Sequence, residues 1–225
     1  MNGRSKLSYW ERRLARHALL GLASLSVGAL IWTVSSHRSR VEGISFATAY
    51  AGLTMLAVAL VLGPLNLLRQ RPNPVSTDLR RDVGLWAGLC GVVHTVAGLQ
   101  VHMRGDLRRY FFPGANGSPI SRSTEAFVTA NHLGLIAALL LLFLMLLSND
   151  IALKTLGVSR WKWFQRSSYV VFGLVVLHGA LYQLLEKRRV GLVFAFLVVS
   201  GFAVLFQAAG VRARLRRRSV DSGGQ

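Results

Sequence analysis

The chain has 225 residues, of which 52% are hydrophobic and 16% charged, with a formal net charge of +18. A water-soluble domain of this size carries more charge, so the composition excludes an ordinary soluble enzyme and fits a helical membrane protein. The basic excess raises nucleic-acid binding, but no basic, aromatic-interleaved domain stands apart from the apolar stretches, and that class finds no support.

Six apolar stretches follow one another at 18–34, 46–68, 83–101, 127–147, 168–185 and 190–211. Each is long enough, at roughly 17–23 residues, to cross a bilayer as a helix. Their apolarity is continuous rather than alternating, which argues against strands. The expected fold is therefore all-α: a six-helix transmembrane bundle over 18–211, a basic cytoplasmic head over 1–17 and a basic, disordered cytoplasmic tail over 212–225.

The head and first stretch superficially suggest a secretory signal. The apolar run is longer than a signal core and no small-x-small cleavage site follows, so a retained helix is expected. In the second stretch Gly63-Pro64 predicts a kink, and Arg71-Pro72-Asn73-Pro74 ends the helix. The third contains Cys90; a single cysteine excludes an internal disulfide, and its place four residues before His94 is no haem-attachment pattern, so it reads as a packing residue. The longest connection, 104–126, joins the aromatic run Arg108-Arg109-Tyr110-Phe111-Phe112 to the turn dipeptides Pro113-Gly114 and Asn116-Gly117. It reads either as a docking face for an external partner or as a loop held at the interface by its aromatics. After the sixth stretch there is no GxGxxG and no βαβ pattern, so electrons for any redox chemistry must come from another protein or molecule.

Charge placement sets the topology. Eighteen of the 27 Lys and Arg residues fall in the head, the loops after the second and fourth stretches, and the tail. By the positive-inside rule those four segments are cytoplasmic, as are both termini. The basic segments then read as topology signals and as contacts for anionic membrane lipid.

Two histidines lie inside the stretches, each twelve residues beyond the last cytoplasmic charge: His94 after Asp82 and His178 after Arg166. At ~1.5 Å per helical residue both imidazoles sit ~18 Å into a core ~30 Å thick. An ionisable side chain at that depth is costly and marks a functional site. Matching depth on helices of the same direction suggests a pair gripping one group. Haem iron accepts two axial imidazoles, whereas zinc wants more ligands than these spans supply. Gly84, Gly88, Gly91 and Gly98 run along the helix of His94, and Gly91 and Gly98 flank it by one turn. They serve close helix packing, room for a flat macrocycle, or both. His102 and His132 lie nearer the outer surface and are candidates for a second haem or a quinone headgroup, or simply interfacial side chains. His17 and His37 flank the first stretch and receive no role.

Leu62-Gly63-Pro64-Leu65, then Arg80-Arg81-Asp82-Val83-Gly84-Leu85-Trp86 with His94 eight residues on, Leu156-Gly157, Trp161, and Tyr169 with His178 nine residues on, form an ordered set. From about residue 46 to the end of the fifth stretch this pattern resembles the ferric reductase-like transmembrane family. The nearer match is its small bacterial branch, the haem-binding membrane subunits (MsrQ, formerly YedZ) of the protein-methionine-sulfoxide reductase system. The resemblance implies a b-type haem protein of the bacterial inner membrane, with His94 and His178 as its haem histidines. It also implies electrons from quinol or a cytoplasmic flavin reductase, and delivery to a periplasmic molybdenum-cofactor enzyme that reduces oxidised methionine. One departure stands out: the family usually has a further histidine thirteen residues before the fifth-span ligand, where this chain has Gln165. A second haem near the cytoplasmic face is thereby in doubt. Arg80, Arg81 and Arg166 would line that face and could hold haem propionates or the phosphate of FMN, their simpler role being topology.

The leading expectation is an electron-transfer subunit of an oxidoreductase with no catalytic residue of its own. A quinol-linked reductase of external ferric iron or another small species is the alternative. A haem-free scaffold or small transporter is a third, weakened for proton coupling by the lack of acidic residues inside the spans.

Overall fold

The computed structural model describes residues 8–70, 77–102, 105–113, 121–186 and 189–223, and all of the regular structure in them is helical. Chain order gives α1 (Tyr9–Val34), α2 (Arg40–Leu68), α3 (Thr77–Val101), α4 (Leu107–Phe111), α5 (Arg122–Leu146), α6 (Asp150–Gln165), α7 (Ser167–Leu185) and α8 (Val190–Gly223). Six stretches are long and apolar enough to cross a membrane: α1, α2, α3, α5, α8 and the run of α6 into α7. The six expected spans are all present.

Local chemistry explains where the helices start. Ser8 caps α1 by accepting from Glu11 N at 3.2 Å, and the Glu11 carboxylate accepts from Ser8 N at 2.6 Å. This reciprocal capping box places the start nine residues before the apolar stretch, so Arg12, Arg13 and Arg16 ride on the helix rather than on a loose head. Ser39, Ser121 and Asn149 cap α2, α5 and α6 one-sidedly, each side chain accepting from the backbone N–H three residues on.

Two expectations are corrected. The segment from Lys154 to Arg166, read as a charged loop, is mostly helix α6, in which Gly157 alone departs from helical geometry (φ 73°, ψ 159°). Alanine, leucine, lysine and arginine are good helix formers whatever their hydropathy. The tail is likewise helical: α8 runs on through its arginines to Gly223 instead of ending at Val211, for the same reason. The Arg71–Pro74 breaker, Gly114 and the Asn116-Gly117 turn lie outside the described residues.

Packing is organised around α2, which contacts α1, α3 and α8, while α5 pairs with α7 and α3 bridges the two groups. In lipid, helices gain little from apolar burial against one another and rely on close approach through small residues. A Cβ at Gly21 would sit 2.8 Å from the Trp86 ring, and one at Gly43 would sit 2.5 Å from the Trp32 ring, so α1 docks through these two glycine–tryptophan contacts. Met55, Leu56, Ala59, Val83, Ala87, Leu144 and Val171 form the buried cluster that joins α2, α3, α5 and α7.

The α2–α8 contact centres on Pro64. Proline has no N–H to give the carbonyl four residues back, and that carbonyl, Leu60 O, instead accepts from Gln207 Nε2 of α8 at 2.6 Å. Gly210, one turn further on, has Pro64 Cβ 2.9 Å from where its own Cβ would be. α2 thus continues to Leu68 with the missing bond supplied from its neighbour.

Candidate functional site

His94 and His178 face each other between α3 and α7, with ring centroids 6.2 Å apart and planes inclined at 74°. Each is held through Nδ1 by a helix other than its own. His94 Nδ1 lies 3.0 Å from Ser45 O and 3.2 Å from Ser45 Oγ on α2. His178 Nδ1 lies 2.7 Å from Ala130 O on α5. A carbonyl oxygen only accepts, so Nδ1 carries the proton in each neutral ring and Nε2 keeps its lone pair. No described residue takes a hydrogen bond from or gives one to either Nε2. Gly134 makes room for this on α5: a Cβ there would fall 2.7 Å from both Cε1 and Nδ1 of His178.

The histidines line a cavity of about 210 Å³ between α2, α3, α5 and α7, reaching the α4 end of the bundle. A water needs about 10–15 Å³ by the same measure, so the space suits a much larger body. Much of its lining is apolar or small, including Leu53, Gly91, Ala137, Ala138 and Val175, with Ser45, Tyr50, Thr95 and Gln183 among the polar side chains.

Geometry tests what two such imidazoles can hold. With metal–nitrogen bonds of about 2 Å, rings held on opposite sides of one metal ion have centroids roughly 6 Å apart. The observed 6.2 Å matches this. Among the described residues there is no group of three or more His, Cys, Asp or Glu side chains, so the donor set of a three-ligand zinc centre is not assembled there. Two neutral imidazole nitrogens facing a roomy, largely apolar cavity fit haem.

The flanking glycines divide their tasks. A Cβ at Gly91 would strike Leu141 Cδ2 at 2.6 Å, so Gly91 admits α5 closely. At Gly98 a Cβ would meet Ser45 Oγ at 3.6 Å and His94 Cε1 at 4.0 Å, ordinary contact distances, so a small side chain would fit beside the ring without displacing it.

Towards α4 the cavity becomes polar. Tyr182 OH donates to Asn131 Oδ1 at 2.5 Å, Asn131 Nδ2 to Tyr110 O at 3.1 Å, and Tyr110 OH to Gly98 O at 3.1 Å. His102 lines the same end and pairs through Nε2 with Glu186 at 3.0 Å. His132 is turned elsewhere: its Nδ1 meets Val128 O of its own helix at 2.8 Å and its ring packs on Phe111 and Phe112. The structure does not bring His102 and His132 together.

Arg80, Arg81 and Arg166 do not line this cavity. Arg81 is occupied at the opposite end, donating to Ser148 O at 2.8 Å and to Asp150 at 2.6 Å. Gln165, at the end of α6, buries an Nε2 that has no partner among the described residues.

Sequence reasoning missed Ser45, Ala130 and Gly134, and also a cluster where α1 meets α3. Asp82 is 1% exposed and is met by Arg16 Nε at 3.1 Å, Arg13 at 3.5 Å and His17 Nε2 at 3.4 Å. Trp86 Nε1 donates to His17 Nδ1 at 3.2 Å. The Arg-Arg-Asp-x-x-x-Trp stretch is thus a structural joint.

A family model described as ferric reductase like transmembrane component matches residues 48–176. The chain belongs to that family. The matched part of this ferric reductase-like chain contains His94, Ala130 and Gly134 and stops two residues short of His178. Among curated proteins, magnetosome protein MamZ of Magnetospirillum gryphiswaldense is 28% identical over 162 residues, covering 66% of this chain and 23% of MamZ. The chain therefore spans about a quarter of that relative's length.

Proposed function

We propose that this ferric reductase-like chain is a b-type haem electron-transfer subunit in which His94 and His178 are the axial ligands. The observation that carries the reading is the facing pair itself: imidazoles 6.2 Å apart, each with Nδ1 committed to a backbone carbonyl and Nε2 left for iron. Bound haem supplies one-electron iron chemistry. The chain's own residues hold and orient the two nitrogens, while Leu53, Ala137 and Val175 keep water from the centre. Two histidines holding the iron would favour electron passage over oxygen binding.

The charge distribution supports a multi-pass protein of the bacterial inner membrane, with both termini cytoplasmic and the cavity in the outer half. The donor is then quinol or a cytoplasmic flavin reductase. The acceptor is a periplasmic molybdenum-cofactor methionine-sulfoxide reductase, as in the MsrQ branch. The family description itself favours one alternative acceptor, ferric iron or another small external species. Reduction assays that set a purified methionine-sulfoxide reductase against ferric chelates separate the two.

The ligand assignment is tested by absorption. The purified chain, expressed with ample haem, is expected to show a reduced b-type spectrum, and His94→Ala or His178→Ala to abolish or strongly alter it. Unaltered spectra in both variants overturn the assignment, and a colourless preparation favours a haem-free scaffold or transporter.

A further inference from the structure

The 74° between the two imidazole planes is not an accident of free rotation. The terminal torsion of histidine is intrinsically broad, so a fixed ring angle has to be imposed by what the ring touches. His94 is set by α2, where one residue, Ser45, offers both its carbonyl at 3.0 Å and its hydroxyl at 3.2 Å to Nδ1. His178 is set by α5, where Ala130 O accepts at 2.7 Å and Gly134, one turn on, leaves a bare backbone that a Cβ would close to 2.7 Å from the ring. The two rings are thus oriented by different helices, and the angle between them is a property of how α2 and α5 are set in the bundle.

We propose that Ser45 and the Ala130–Gly134 step are positioning residues that hold the His94 and His178 planes close to perpendicular, so that iron bound between them carries crossed axial imidazoles. This rests on the haem reading above and adds to it a definite electronic arrangement. Each imidazole overlaps an iron d orbital set by the direction of its plane. Parallel planes act on one orbital and split the pair widely, whereas crossed planes act on both and leave them nearly degenerate. Axial-ligand geometry and the hydrogen bonds behind it are the protein's means of tuning the metal.

Electron paramagnetic resonance of the oxidised, haem-loaded full chain in detergent reads this directly. Crossed planes are expected to give a strongly anisotropic low-spin ferric signal dominated by a single large-g feature; a three-line rhombic signal overturns the proposal. Ser45→Ala, which keeps the carbonyl and removes the hydroxyl, is expected to move the signal towards the rhombic form, and Ser45→Thr to restore it. Gly134→Ala is expected to shift the signal or, if the ring is expelled, to convert it to high spin. Wild-type signals in both Ser45→Ala and Gly134→Ala overturn the positioning role. A wild-type chain that binds haem with a rhombic signal defeats this inference alone, whereas a chain that binds none defeats the haem reading beneath it.

Discussion

At the scale of single residues, Asp82 shows how a charge is kept inside the mouth of the bundle. With 1% exposure it is surrounded by Arg13, Arg16 and His17, and the Trp86 N–H directed at His17 Nδ1 leaves Nε2–H of the neutral ring aimed at the carboxylate. Removing one partner of a buried ionic group strands the others, at a cost of about 3–5 kcal/mol. Asp82→Ala is therefore expected to destabilise the chain by about 3 kcal/mol, because Arg13 and Arg16 retain some solvent. Asp82→Asn, which keeps acceptor geometry without the charge, should cost less. Denaturant unfolding in detergent measures both, and equal losses would show that charge is not what matters there.

The same scale shows what was legible beforehand. His94 and His178 announced themselves because an ionisable side chain deep in a span has a cost that sequence alone reveals. Ser45, Ala130 and Gly134 did not, since a carbonyl acceptor belongs to every residue type and a missing Cβ is meaningful only once the facing ring is known. His17 was given no role for a related reason: its partners are 65 and 69 positions away in the sequence, at Asp82 and Trp86.

At the scale of elements, six apolar runs were enough to find the membrane-length helices, and the places where reading and structure part are instructive. α6 was hidden by Lys154, Arg160 and Lys162, which look like loop residues when hydropathy is the only guide, although Asn149 gives it an ordinary N-cap with Ala152 N at 2.7 Å. The joint between α2 and α8 makes a sharper point. Pro64 removes a helical bond and Gln207 replaces it from a neighbouring helix. Gln207→Leu should leave Leu60 O unsatisfied and cost about 1–2 kcal/mol. In a Pro64→Ala background, where an N–H again reaches Leu60 O, the same substitution should cost markedly less. A double-mutant cycle on unfolding midpoints tests this, and additive effects would sink it.

At the scale of the whole molecule, the bundle has two unlike halves. The end carrying α4 holds the cavity, while the buried cluster of Met55, Leu56, Val83, Leu144 and Val171 packs α2, α3, α5 and α7 together further along. The family resemblance carries a second histidine towards that packed end, and this chain has Gln165 instead. One haem per chain is therefore expected by pyridine haemochrome assay; a value of two would require that end to open. Span number and the uneven spread of basic charge were readable from composition along the chain. The unequal filling of the halves was not, because it depends on which side chains from four helices meet.

The four residues that make and set the site, Ser45, His94, Ala130 and His178, come from four helices strung along most of the chain. During synthesis the first three of those helices are complete before α7 begins at Ser167, yet until then His94 has no opposite number and Ala130 O has no imidazole to receive. If the two histidines hold haem as proposed, its capture is a late event that waits for α7 to be inserted beside α5. A ribosome-arrested chain ending before residue 178 would carry a finished half-site and nothing to close it.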